Sequence, residues 1–203
     1  MSARNPRTQR IRLFKSDRLE RLTNFSPNAF CATWGAIIPL VAWAGWGAVS
    51  PLSGIGLVLS GLLFWTLFEY AMHRYLFHWD SDWKPVEWVV FLIHGNHHVH
   101  PNDRIRNLMP PVISVPVSAL IWGACAALFG SAGTWIFLGF ISGYVIYDLV
   151  HFACHQWPMR GALGMALKRH HMRHHHISEH GNFAISAIFW DRVFGSNIRS
   201  LNR

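Results

Sequence analysis

All fourteen histidines of this 203-residue chain lie between His73 and His180. Ten of them fall into four spaced groups: His73-x4-His78, His94-x2-His97-His98, His151-x3-His155 and His171-x2-His174-His175. On a helix, residues three and four apart share a face, about 60° and 40° from one another in opposite directions. Each HxxHH therefore fans three imidazoles over one face, and His151 and His155 stack on one stripe. His73 and His78 would stand about 140° apart on a regular helix. That pair is expected where a helix distorts or stops.

A single pair such as His151 and His155 is explained equally well by two satisfied polar side chains. Four groups are not, because buried imidazoles need partners and few charges lie near enough in sequence to supply them. A metal site is the expected reading, and ten imidazoles exceed what one ion with four to six ligands can use, so two ions are implied. Imidazole suits iron, zinc, copper or nickel; the lack of a thiolate set disfavours structural zinc, and neutral nitrogen disfavours magnesium and calcium. Ten neutral ligands leave two dications uncompensated, which favours small anionic ligands and hence oxygen chemistry. Glu69, Asp148, Glu179 and Asp191 are placed in sequence to accept the second ring N–H of ligand histidines. Salt bridges or helix caps are the ordinary alternative for each.

The elements that must carry these groups are membrane helices. Half the chain is apolar (51%) and only 14% is charged. No Asp, Glu, Lys or Arg occurs from Leu22 to Phe68 or from Asn107 to Tyr147, 47 and 41 residues, and each block is long enough for two crossings of about 20 residues. The fold class expected is an all-α integral membrane protein with four transmembrane helices in two hairpins, at about 29–49, 55–72, 112–129 and 134–150. The turns fall at 50–54 and 130–133, and a histidine-rich cap holds the metal pair. Pro39 and Pro116 lie inside crossings and are expected to kink them. Val86 to Ile93 is too short to cross and reads as an interfacial or cap helix with Trp83 and Trp88 at headgroup level.

All 18 Lys and Arg avoid the two turns. The positive-inside rule then places both termini and the histidines in the cytoplasm. The net charge of +8 is thus accounted for without nucleic acid. Residues 1–27 form a basic segment in which Arg4 to Arg21, interleaved with apolar residues, could lie along an anionic membrane surface or be solvated; residues 28–203 form the membrane domain. No removable signal peptide is expected, and Cys31, Cys125 and Cys154 read as small apolar fillers.

Several stretches together resemble the fatty acid hydroxylase and sterol desaturase superfamily, most closely its fatty acid 2-hydroxylase branch. They are Glu69 to His78, HGNHHVHPNDRIRNLMPP from His94, GYVIYDLVHFACH from Gly143, LKRHHMRHH from Leu167 and NFAISAIFWDRVFGS from Asn182. The resemblance implies a di-iron centre held by His73, His78, His94, His97, His98, His151, His155, His171, His174 and His175, although zinc can occupy such sites in purified material. It also implies dioxygen and two electrons spent on hydroxylating an acyl chain at carbon 2. His170 falls outside the register of LKxxHxxHH, and alanine there or at His176 is expected to be much milder than at a ligand histidine. His100 and His180 are expected beside the metal ligands.

Many relatives carry a cytochrome-b-type haem domain before the membrane region. Only 27 residues stand there in this sequence, so an external donor, a ferredoxin or small haem protein, is expected, and the compact form resembles bacterial members. Arg160, Lys168, Arg169, Arg173, Arg192 and Arg199 offer the donor a positive surface or hold membrane phosphates. Tyr144, Tyr147 and Asn182 are candidates to bind the lipid head group, and Phe77, Phe152, Phe183 and Ile185 to line an acyl tunnel. Carotenoid or other polycyclic-lipid hydroxylation is the neighbouring alternative. A histidine-rich metal carrier fits less well, because the two uncharged blocks also lack histidine.

Overall fold

The computed structural model describes residues 10–198. Those residues form nine α-helices and two π-helical turns, with no strand among them. Four helices are long and apolar enough to cross a membrane: α2 (Pro27–Ala44), α3 (Pro51–Ala71, continued by the π turn Met72–Phe77), α6 (Pro111–Phe129) and α7 (Ser131–Gln156). The 21 residues of α3 span about 31 Å at 1.5 Å per residue, the thickness of a hydrocarbon core. The chain is an integral membrane protein. Indoles mark both ends: Trp43 and Trp46 lie exposed around the end of α2, Trp79, Trp83 and Trp88 at the histidine end.

The first turn differs from expectation. Helix α2 stops at Ala44, and Ser50 caps α3 by accepting from the Ser53 backbone at 3.2 Å, with Pro51 in the first helical position. Ser26 and Pro27 start α2 the same way. Ser-Pro is a start signal here and not a turn, because proline has the helical φ already set and lacks an N–H that the first turn could not use. Gly130 alone joins α6 to α7, at φ 57°.

Helix α7 is the centre of the bundle. It packs against α3 along much of its length and also against α6 and α2, while α2 and α3 make little contact with each other. Helices α6 and α7 therefore pack on each other, whereas α2 and α3 meet chiefly through α7. Glycine sets the α3–α7 distance: a Cβ on Gly61 would overlap the carbonyl of Ile136, and one on Gly139 the carbonyl of Val58. Close backbone approach of this kind is how apolar helices gain packing energy where the solvent is equally apolar. Gly143 makes room in the same way for the ring of Trp65.

Beyond the crossings lie α4 (Lys84–Val90), the π turn Phe91–Gly95, α5 (Asn96–Val99), α8 (Gly161–His176) and α9 (Phe189–Val193). The short α1 (Asp17–Thr23) is docked by polar contacts. Buried Arg106 donates to Glu20, to the Thr23 hydroxyl at 3.0 Å and to the Ile11 carbonyl at 3.0 Å, and Asp103 accepts from the Ile11 backbone at 3.1 Å. The described part of the basic segment is thus tied to the loop before α6. Arg4 lies outside the described residues.

Candidate metal centre

The ten histidines gather into two groups of five. One holds His73, His78, His94, His98 and His174, the other His97, His151, His155, His171 and His175; within each, one nitrogen per ring lies within 4.8 Å of all the others. Every HxxHH motif is split between the groups. In both, the first and last histidines, or the middle one, face different neighbours because 60° and 40° offsets fan three rings across a wide face.

Two π turns make this geometry. A π turn bonds residue i to i+5, which stacks positions five apart, and His73 and His78 sit five apart across Met72–Phe77. The distortion expected for that pair is this turn. His94 belongs to the second π turn, and Asn96 steadies its junction with α5 by donating its amide to the carbonyls of Phe91 at 2.9 Å and Leu92 at 2.8 Å.

The tautomers follow from the partners. His73 Nδ1 lies against the Phe183 carbonyl, His174 Nδ1 2.8 Å from the Gly181 carbonyl and His151 Nδ1 3.1 Å from the Asn107 carbonyl. A carbonyl only accepts, so each Nδ1 carries the proton and each Nε2 turns a lone pair inward. There His78 Nε2 sits 3.2 Å from His73 Nε2 and 3.0 Å from His174 Nε2, and His151 Nε2 2.9 Å from His97 Nε2. Lone pairs converging at such distances repel unless a cation lies among them, so the residues fit a metal ion in each group.

Burial and repulsion among neighbouring rings push the imidazoles toward the neutral, ligating form. His78 is lowered to about 3 and His98 and His174 to about 4, with burial the largest cause in each. His94, His97 and His171 lie well below the ordinary histidine value for the same reason.

Of the carboxylates expected behind the ligands, one stands there: Glu179 lies 3.1 Å from His98 Nδ1. The other three do not touch a ligand histidine through hydrogen bonds. Glu69 accepts from the backbones of Ile185 and Ser186, the Ser186 hydroxyl and the Trp65 indole. Asp148 accepts from the Met109 backbone and the Tyr144 hydroxyl, both within 3.1 Å. Asp191 accepts from the backbones of Phe183 and Ala184, from Ser196 and from His170 at 2.9 Å. The reason is that the non-helical segment 181–186 runs buried, and its N–H groups need acceptors. Glu69 and Asp191 satisfy those N–H groups, Asp148 takes the Met109 N–H before α6, and the segment's carbonyls take the ring protons of His73 and His174.

His170 stands in neither metal group; it is buried against Asp191. His100 and His180 also stand outside both groups, and His180 is exposed. Asn182 does not face a substrate: fully buried at φ 55°, it donates to the His170 carbonyl and accepts from the Ile198 backbone. Phe183 packs on the rings of His73, His78 and His174. Phe152 and Ile185 are core.

A cavity of about 520 Å³ adjoins both groups, touching His94, His97 and His151. Tyr144, Tyr147 and Phe77 line it, together with Glu69 and Asp148. It reaches along α7 to Phe140 and along α6 to Ile121, and Leu13, Phe14, Leu19 and Leu22 also line it. From His151 to Phe140 is eleven residues, about 16 Å of helix.

A helical body with four helices long and apolar enough to cross a membrane and ten histidines beside an apolar cavity has the build of a membrane lipid hydroxylase, and the family model named fatty acid hydroxylase matches residues 58–196. The chain belongs to that family. It is 32% identical over 191 residues to the dihydroceramide fatty acyl 2-hydroxylase FAH2 of Arabidopsis thaliana, covering 91% of this chain and 79% of the relative. It is 32% identical over 215 residues to the fatty acid 2-hydroxylase of Homo sapiens, covering 93% of this chain and 57% of the relative. Among solved structures, full-length scs7p, of which only the hydroxylase domain is visible, superposes with a TM-score of 0.85 at 31% identity, over 92% of this chain and 72% of that one. These relatives are eukaryotic and lend no support to a bacterial source.

Proposed function

We propose that the protein hydroxylates a lipid acyl chain at carbon 2, with two iron ions held one in each group of five histidines. The observation that carries this reading is the cavity. It runs from His94, His97 and His151 along α7 into the depth of the membrane, so a chain lying in it has its methyl end remote and its first carbons beside the histidines. When bound, iron supplies the activation of dioxygen. The whole reaction consumes one O2, two electrons and two protons per C–H bond converted to C–OH, with one water formed.

The protein's own residues hold, orient and exclude. Carbonyls of Phe183, Gly181 and Asn107 keep the protons of His73, His174 and His151 on Nδ1, leaving Nε2 free to bind metal. Apolar walls keep water from the channel, and the Tyr144 hydroxyl, which donates to Asp148 at 3.1 Å, supplies a polar point beside the head end of the chain. Imidazoles supply no electrons, so a separate donor, a ferredoxin or small haem protein, meets the histidine end. That end faces the cytoplasm under the positive-inside rule. Residues 28–203 carry the machinery, and 10–24 complete the cavity wall. Mass spectrometry of lipids from cells with and without the gene tests the reading: a gain of one oxygen is expected, with fragmentation placing it on carbon 2 and His97→Ala or His174→Ala abolishing it. A hydroxyl in mid-chain or on a carotenoid ring overturns it.

A further inference from the structure

Helix α8 turns its histidines inward and a second set of side chains outward. Ala166, Arg169 and Arg173 line a concave site of about 350 Å³, completed by Ile188, Asn197 and Arg192 of α9. Arg169 and Arg173 stand at i and i+4, a like-charge pair that disfavours an isolated helix, and Arg192 brings a third guanidinium from across the gap. Among the described residues, none of the three makes an ion pair or a side-chain hydrogen bond to a carboxylate. Asp191, next in sequence to Arg192, is turned inward and engaged by four donors. The positive surface expected for a donor is also divided: Lys168 is tied to the Trp157 carbonyl at 2.7 Å, and Arg199 lies outside the described residues.

The depth of this site is fixed by α9. The Trp190 indole donates to Thr66 of the crossing α3 at 3.0 Å, and Phe194 stacks on Tyr70 of the same helix. Phe189, Val193 and Phe194 are nevertheless exposed, as is Leu163 at the start of α8. Apolar side chains exposed on short helices against the end of a crossing belong in the boundary between headgroups and acyl chains, with cations snorkelling to the phosphates. We propose that Arg169, Arg173 and Arg192 bind the phosphate of a phospholipid headgroup, which clamps α8 to the membrane surface. Arginine suits phosphate through its planar fork of donors.

The test uses the full chain in detergent micelles. Native mass spectrometry with phosphatidylglycerol is expected to show one lipid retained per chain, and R169Q/R173Q/R192Q to raise its Kd on the order of 100-fold, at about one factor of five for each arginine lost. R104Q, at an exposed position outside the site, should leave Kd unchanged, and metal content should stay the same in all variants. Should the triple variant fail to fold, R169Q and R192Q alone, each removing an exposed side chain, are expected to weaken binding roughly fivefold. Equal retention of phosphatidylglycerol by the variants, equal retention of uncharged diacylglycerol by the wild type, or a rise in Tm with inorganic phosphate as large as with the lipid would overturn the proposal. So would loss of binding to an acidic ferredoxin with lipid retention intact.

Discussion

Replacing Asp191 by Asn keeps the shape of the side chain and removes its charge at a position with no solvent access. Each carboxylate oxygen accepts two bonds: Phe183 N–H and the Ser196 hydroxyl on Oδ1, Ala184 N–H and His170 on Oδ2, at 2.7 to 2.9 Å. An amide must turn its NH2 toward one of those pairs. Ser196 can rotate and His170 can change tautomer, but a backbone N–H can do neither, so Phe183 or Ala184 is left facing a donor. Loss of one charge-assisted bond and orphaning of one buried N–H together cost about 3 to 5 kcal/mol. The damage is local to the segment whose carbonyls, at Gly181 and Phe183, hold His174 and His73. Both belong to one metal group, while the other is steadied by the Asn107 carbonyl on His151. D191N is therefore expected to lower metal affinity in the first group by about 10- to 100-fold and leave the second nearly intact. Elemental analysis of D191N protein, folded by circular dichroism, should approach one ion per chain where the wild type holds two. Two ions retained against a chelator as tightly as in the wild type, or equal loss from both groups, would refute this chain of reasoning.

H170A removes one of the four donors on Asp191 and is expected to lower stability by about 1 to 3 kcal/mol, read as a fall in Tm, with more loss of activity than H176A. Gly139→Leu cannot keep the α3–α7 approach at Val58, so the helices must separate; detergent thermal unfolding should show a large drop in Tm that Gly35→Leu, with open space around it, does not. R106A leaves Glu20 without its buried partner, costing the docking of residues 10–24 about 3 kcal/mol; proteolysis within that segment should accelerate and KM for lipid rise more than kcat falls. Metal-free protein should lose stability as pH falls. An imidazole such as His174, lowered to about 4, stays neutral while the unfolded chain takes up a proton below about 6.5, so stability is complete above that pH. About 2 kcal/mol per such group is gone by pH 5. A Tm of the chelated protein unchanged from pH 8 to pH 5 would count against neutral, buried imidazoles.

The crossings and the ten histidines were legible because each depends on a single property of the chain. Uncharged length gives a crossing, and spacing gives a face. The partition of the histidines into two groups was not legible, since His97 and His98 are neighbours in sequence yet stand in different groups. Their separation depends on the fold around them: His97 meets His151 and His155 of α7, and His98 meets His78 at the end of the first π turn. The π turns themselves left one trace, the five-residue spacing of His73 and His78, and Asn96 carried no sign that its amide would donate to the carbonyls of Phe91 and Leu92.

The misplaced carboxylates show where reading by residue type reaches its limit. Proximity in sequence to a ligand histidine made Glu69, Asp148 and Asp191 natural partners for ring N–H groups, and a carboxylate does outcompete a carbonyl for such a proton. Inside the protein, however, the competition includes every unpaired backbone N–H nearby, and an irregular buried segment such as 181–186 has many of these and no helix to absorb them. A carboxylate that accepts from two consecutive backbone N–H groups fixes a stretch of chain, and that stretch then presents its carbonyls in register to His73 and His174. Glu69 and Asp191 thus set the direction of the ligand histidines through an intervening strip of backbone. Substitutions within that strip should matter less for the side chain lost than for whether the new residue permits the same φ and ψ, above all at Asn182, which holds the left-handed conformation at φ 55°. Asn182→Ala is expected to loosen the strip and N182D to do so less. Asp tolerates the same backbone conformation and still accepts from Ile198, while it forfeits the bond to the His170 carbonyl.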